Sequence, residues 1–294
     1  MTLITPLPPL PPSRQLFVSD LDGTLLDNDS CVSPRSAQML AALSARGALI
    51  TCATARTPAT VSGLLADCHL HLPAIVFTGA AEWDVERNRY TRLMLMDRAV
   101  ADDVAAECRA AGVNLMRYTV ADDHIIDAYC TGLPVCESER QFIEGRSGLP
   151  FKRWHMLEPV PDRAADRTLM FFAISSVDRV MQVAQRLRRR GDCAVSANPE
   201  FPGAEVGILE VFSPQVSKAA AVSRLARRLG VEGVTVFGDN LNDLSMMAVA
   251  DVAVAVENAA PEVRQAADIV IGPNSCDSVA RYIAAQLQSP EDVE

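Results

Sequence analysis

Asp20 and Asp22 stand one residue apart in the run Asp20-Leu21-Asp22-Gly23-Thr24-Leu25-Leu26, directly after the apolar stretch Leu16-Phe17-Val18. Positions i and i+2 of an extended chain share a face, and a glycine at the next position lets the backbone turn sharply off a strand end. Both carboxylates can then converge on one reacting phosphorus. One is placed to attack; the other, a step further out, can protonate the departing oxygen and later take a proton from water. The same Asp-x-Asp-Gly string also opens calcium loops. Such a loop needs further oxygen ligands at fixed later positions and a closing Glu, and Leu25 and Leu26 occupy that stretch, so the calcium reading fails.

A second acidic cluster, Gly238-Asp239-Asn240-Leu241-Asn242-Asp243, again follows an apolar β-branched run, Val234-Thr235-Val236-Phe237. In an open parallel sheet the strand C-termini open onto one crevice, so acids more than two hundred positions apart can meet there. Such a concentration of like charge needs a cation. An oxygen-only site with few carboxylates and room for water and phosphate suits magnesium. Lys218 is the other charged candidate, for among 27 basic residues only Lys152 and Lys218 are lysines. A compact ammonium can neutralise both a carboxylate and a phosphate oxygen, whereas a guanidinium fork demands a different geometry. Taken alone, Lys218 reads more readily as a solvated lysine on the first turn of a helix.

These two clusters resemble the first and last motifs of the haloacid dehalogenase superfamily of phosphatases. Ile50-Thr51-Cys52-Ala53-Thr54-Ala55-Arg56 resembles the second motif, and Val216-Ser217-Lys218 the third. Because about 160 residues separate those two, the chain resembles the Cof-type branch with its class IIB cap. The resemblance implies that Asp20 is the nucleophile, forming an aspartyl-phosphate, and that Asp22 is the acid and base. It implies magnesium held by Asp20, Asp239 and the Asp22 carbonyl, with Asp243 in support. Phosphate oxygens would be held by Thr54, the backbone amide of Ala55, Lys218 and Asn242. Two positions depart from the usual pattern: Ala55 stands where the second motif commonly has glycine, and Thr78-Gly79 where Asn-Gly is usual.

The elements that must position these residues alternate. A strand runs to Ser19, a helix spans Ser36 to Arg46, a strand Ala48 to Ala53, a helix starts at Ala59, and a strand covers Ala74 to Phe77. This is the pattern of a doubly wound, Rossmann-like α/β core with a parallel sheet, interrupted by an α+β cap. The core is expected over residues 15–81 and 202–288, and the substrate-selecting cap over 82–201. Cap helices are expected at Arg98 to Ala111 and Val177 to Arg190, over one antiparallel sheet of strands near 114–120, 124–130, 168–174 and 193–197. The core is expected to resume with Gly207 to Phe212 and the helix from Lys218. The proline-rich residues 1–14 read as a disordered tail, and the last acidic residues as frayed.

With 294 residues, 49% hydrophobic and 22% charged, the chain can bury two cores. No segment approaches a membrane span or a secretory signal, and eight scattered cysteines without a Cys-x-x-Cys pair fit reduced thiols, so the cytoplasm is expected. A formal net charge of −10 argues against nucleic acid or an anionic membrane as partner, leaving a small phosphomonoester, with sugar phosphates first. Protein partners and oligomeric state are not read. A cysteine phosphatase is excluded, since no Cys is followed six positions later by Arg. The competing functions are a phosphotransferase or phosphomutase, a phospho-accepting switch, and a phosphate-binding protein without turnover. Asp22 speaks against the switch, being suited to hydrolyse the phospho-enzyme rapidly. His69, His71 and Cys68 make a poor zinc site without a distant fourth ligand, Arg186 to Arg190 read as a solvated helix end, and Trp154 and His155 are held as specificity candidates.

Overall fold

The computed structural model describes residues 14–199 and 203–287. The proline-rich stretch and the acidic C-terminus lie outside the described residues. The chain divides into two units, one built from the residues up to Thr91 and from Ser217 onward, the other from Arg92–Val216.

The first unit begins with β1 (Gln15–Ser19), α1 (Pro34–Ala45), β2 (Leu49–Cys52), α2 (Pro58–Leu65), β3 (Ala74–Val76), β4 (Ala81–Asp84) and β5 (Arg89–Leu93). The second unit follows with α3 (Arg98–Ala110), β6 (Met116–Val120), β7 (Ile126–Cys130), α4 (Glu137–Glu144), β8 (Lys152–Met156), α5 (Asp162–Ala165), β9 (Thr168–Ser176), α6 (Val177–Arg190), β10 (Ala194–Pro199) and β11 (Val206–Phe212). The chain then returns to the first unit through α7 (Lys218–Leu229), β12 (Gly233–Gly238), α8 (Leu244–Met247), β13 (Val252–Val256), α9 (Pro261–Ala266), β14 (Ile269–Ile271) and α10 (Ser278–Leu287).

The first unit's main sheet has the order β14-β13-β12-β1-β2, with every pairing parallel. Leu16, Phe17, Val18 and Ser19 are all buried, the continuous pattern of a strand covered on both faces. β1 and β12 are neighbours, Gln15 facing Gly233 and Ser19 facing Phe237, so both acidic motifs leave the sheet side by side. β3 adjoins β2 through a parallel bridge from Ala53 to Ile75 and then pairs antiparallel with β4.

The second unit's sheet has the order β10-β11-β9-β6-β7-β8. α6 presents Val180, Val183, Ala184 and Leu187 at helical spacing, and these pack with Ala101, Val104 and Cys108 of α3 against Phe171, Ala173, Leu209 and Val211 of the sheet. Both expected long helices are found, Val177–Arg190 within its expected bounds.

Four expectations about this region need correction. Gly207 to Phe212 does not resume the core: β11 pairs antiparallel with β9 and β10, its Leu209 and Val211 facing the helices. β4 lies beside β3 in the first unit, so the division falls at Thr91 and not near 82, and the return falls at Ser217 and not at 202. β8 and α4 were not expected. Because β8 runs parallel to β7, with α4 in the connection, the sheet is mixed and not purely antiparallel.

Candidate active site

Asp20 follows the last residue of β1 and donates its amide to the Phe237 carbonyl at 2.9 Å, which continues the ladder with β12 one residue past the strand. The chain then makes a tight turn over Leu21–Leu25, in which Gly23 has φ +71°. A Cβ at Gly23 would lie 2.4 Å from Asp239 Oδ2, so the turn closes directly on the carboxylate of the neighbouring strand. Thr24 donates its hydroxyl to Asp239 Oδ1 at 2.9 Å, fixing that carboxylate from the same turn.

Lys218 is the first residue of α7, whose start is capped by the Ser217 hydroxyl accepting from the Ala220 amide. It is not a solvated lysine: its side chain is 1% exposed, and Nζ donates to Asp20 Oδ1 and to Asp243 Oδ1, each at 2.7 Å. The other oxygen of Asp243 accepts the backbone amides of Asp239 and Asn240 at 3.0 and 3.1 Å. Asp243 therefore anchors both the ammonium and the turn that carries Asp239.

Burial pushes the Asp20 carboxyl up, to about 7, against the pull of Lys218, and the negative Asp243 adds to the rise. Burial acts to lower Lys218, yet attraction to Asp20 and Asp243 outweighs it and holds the ammonium above its ordinary value. Burial likewise raises Asp239 despite the Thr24 hydrogen bond. Asp20, Asp239 and Asp243 each bring a carboxylate oxygen to within 4.8 Å of the others. With all three ionised, the carboxylates against one ammonium leave an excess of two negative charges in a largely buried place. An all-oxygen donor set with that excess fits a hard divalent cation.

The Asp22 carboxylate stands outside this cluster. Arg56 grips it with two bonds, Nε to Oδ2 at 2.8 Å and Nη2 to Oδ1 at 2.5 Å. Thr54, buried just past β2, accepts the Arg56 amide on its hydroxyl at 3.1 Å, while Ala55 between them is exposed. Asn242 is exposed on the turn Leu241–Asp243. Thr78 has φ +56° and a buried hydroxyl without a hydrogen-bond partner among the described residues. Thr24 and Arg56 went unassigned in the sequence, although each sits inside a motif already singled out.

The second unit's candidates have other partners. Trp154 covers the Lys152 ammonium, 4.1 Å from its ring centroid. His155 bonds Asp127 at 2.9 Å and Glu158 at 3.0 Å while stacking on Tyr129. All eight cysteines are free. Among the described residues no helix is long and apolar enough to cross a membrane.

Comparison with known proteins agrees with this geometry. The chain is 25% identical over 284 residues to 5-amino-6-(5-phospho-D-ribitylamino)uracil phosphatase YwtE of Bacillus subtilis, covering 90% of this chain and 95% of that protein. Its fold matches that of TM0651 from Thermotoga maritima with a TM-score of 0.73 at 24% identity, over 94% of this chain and 98% of that one. It also matches the subclass IIB sugar phosphatase BT4131, with a TM-score of 0.70 at 20% identity over 92% and 98% of the two chains. The sequence model of the haloacid dehalogenase-like hydrolases matches residues 17–283, nearly the whole length, and the chain belongs to that family.

Proposed function

We propose that the protein is a magnesium-dependent phosphomonoesterase acting on small phosphorylated metabolites, sugar phosphates first, through an aspartyl-phosphate on Asp20. The observation that carries this reading is the buried Lys218 ammonium joining Asp20 to Asp243, beside Asp239, at the ends of adjacent parallel strands. In the first half-reaction Asp20 bonds to phosphorus as the ester P–O bond breaks, and Asp22 gives its proton to the leaving alkoxide. In the second, Asp22 takes a proton from water as that water attacks phosphorus and frees Asp20. Splitting the hydrolysis this way replaces one very slow displacement by two assisted ones.

Lys218 supplies positive charge beside the attacking oxygen, and Thr54, the Ala55 amide and Asn242 supply donors for the non-bridging oxygens. The metal would be held by Asp20, Asp239 and the Asp22 carbonyl, with Asp243 orienting the set, and when bound it supplies charge neutralisation and phosphate orientation. Substrate choice is assigned to the inserted second unit. The phosphorylated ribityl chain in the name of the Bacillus subtilis relative is a compound of the proposed class. Free thiols and the absence of a candidate membrane helix among the described residues support a cytoplasmic location.

The test is phosphate release from sugar, nucleotide and cofactor monoesters, with magnesium and after chelation, for wild type beside Asp20→Asn. Metal-dependent release that disappears in the variant is the expected result. Stoichiometric phosphate retention, or transfer to an added sugar without release, overturns hydrolysis in favour of binding or phosphotransfer.

A further inference from the structure

Asp22 has a partner, Arg56, whose place in the second motif carries no assigned role. Among the described residues, the hydrogen bonds recorded to its carboxylate come from Arg56, which makes two, in the parallel fork geometry that fixes a carboxylate in plane as well as in distance. Arg56 is itself tied at the backbone: its amide donates to the Thr54 hydroxyl at 3.1 Å, and its carbonyl accepts the Phe77 amide at 3.0 Å. The arm therefore starts from the same short turn that carries the phosphate-binding threonine, and it ends on the carboxylate proposed to move the proton.

This pair does little for the fold. The Asp22 side chain is 54% exposed and that of Arg56 26%, and partly exposed ion pairs contribute at most a modest share of stability. Its effect is directional. Asp22 lies in the turn after Asp20, with extended backbone angles, φ −66° and ψ 124°, and its side chain is half-exposed. The two bonds of the fork hold that side chain in one orientation.

We propose that Arg56 is a positioning residue for Asp22, aiming its carboxyl so that the proton reaches the leaving oxygen of the ester. This assignment rests on the phosphatase reading. In the step concerned, the bond from phosphorus to the alcohol oxygen breaks as the Asp20–phosphorus bond forms. The electron pair stays with the alcohol oxygen, the Asp22 proton joins it, and Asp22 is left as a carboxylate facing the guanidinium. A misaimed Asp22 slows the departure of an alkoxide, which needs that proton, and barely affects a nitrophenolate, which leaves without one.

The experiment compares kcat/KM for glucose 6-phosphate, or the best alkyl ester of the panel, with kcat/KM for p-nitrophenyl phosphate in wild type, Arg56→Met and Arg56→Lys. This ratio reports the step that forms the phospho-enzyme and excludes the later water attack. General acid assistance amounts to about 100-fold or more, and Arg56→Met should forfeit a large part, roughly 30-fold, for the alkyl ester and under about threefold for the nitrophenyl ester. Arg56→Lys, which keeps the charge but not the fork, should fall between. Equal losses for both esters, or no loss for either, overturn the assignment, since a structural role lowers both together. If Arg56→Met fails to fold, Arg56→Lys gives the same comparison. A wild type that cleaves neither ester overturns the phosphatase reading, and this assignment with it.

Discussion

Replacing Gly23 by alanine separates two consequences of one residue. The first is conformational: φ is +71° at Gly23, and an alanine held in the left-handed region costs about 1–2 kcal/mol. The second is local to the site: the new Cβ would sit 2.4 Å from Asp239 Oδ2, where ordinary van der Waals contact begins near 3.4 Å. The carboxylate must retreat by about 1 Å, loosening the Thr24 hydrogen bond and displacing a proposed metal ligand. A misplacement of that size costs on the order of 100-fold in rate. Gly230 supplies the control, because it has φ +66° with nothing within 4 Å of its added Cβ. Urea unfolding of Gly23→Ala and Gly230→Ala should show similar losses of about 1–2 kcal/mol. Magnesium-dependent phosphate release, titrated with metal, should collapse only in Gly23→Ala, with a weaker apparent metal affinity. Equal activities in the two variants would refute the claim that the absence of a Cβ at Gly23 makes room for Asp239.

Three further outcomes follow from buried groups. Lys218→Met strands Asp20 and Asp243 without their ammonium and should lower stability by about 3–5 kcal/mol in urea, with part recovered by adding Asp243→Asn; a loss below about 1 kcal/mol would contradict the buried pairing. Thr78→Gly should raise stability by about 1 kcal/mol in the same assay, because glycine adopts φ +56° without the strain of a β-branched residue and the buried hydroxyl, unpartnered among the described residues, is removed. Lys152, enclosed by Tyr118, Trp154 and Phe142, has its pKa lowered to about 7 by burial and by Arg146. The unfolded chain holds that proton up to its ordinary value of 10.5, so between these limits it binds more protons than the folded state and stability rises with pH. Lys152→Met should remove that rise, worth up to roughly 1.4 kcal/mol per pH unit, in unfolding curves at pH 7.5 and 9; an unchanged slope would count against the lowered pKa of the buried Lys152.

The two strands whose ends carry the acids of the first unit were legible because their signals are local. Leu16-Phe17-Val18 and Val234-Thr235-Val236-Phe237 are unbroken apolar runs, each followed by a glycine and acids, and a buried parallel strand permits little else. Long amphipathic helices such as Val177–Arg190 carry their bounds in their own periodicity. Strand membership is not local. Ile208-Leu209-Glu210-Val211 reads as a core strand by its apolar content, but the glutamate between Leu209 and Val211 is the alternation of a strand with one open face, and β11 accordingly lies in the second sheet. β8 was hidden because Lys152, Arg153 and His155 give it no apolar run. The partnership of Arg56 with Asp22 was likewise beyond sequence, for it depends on the register that sets β1 beside β2, Val18 opposite Thr51.

The first unit is assembled from two stretches of chain separated by all of Arg92–Val216. β1 has one of its two partners, β12, on the far side of that insertion, since Gln15 pairs with Gly233. During synthesis the amino-terminal stretch leaves the ribosome with the inner edge of its sheet unpaired, while the intervening unit can complete its own sheet and helices first. Contacts of such long sequence separation form late, and an open strand edge invites association until they do. Asp20 and Thr54 come from the early stretch, and Lys218 and Asp239 from the late one. A ribosome that stops before Lys218 therefore releases a chain holding the proposed nucleophile but neither its counter-charge nor its neighbouring strand, so this enzyme gains its chemistry only as about the last quarter of its message is read.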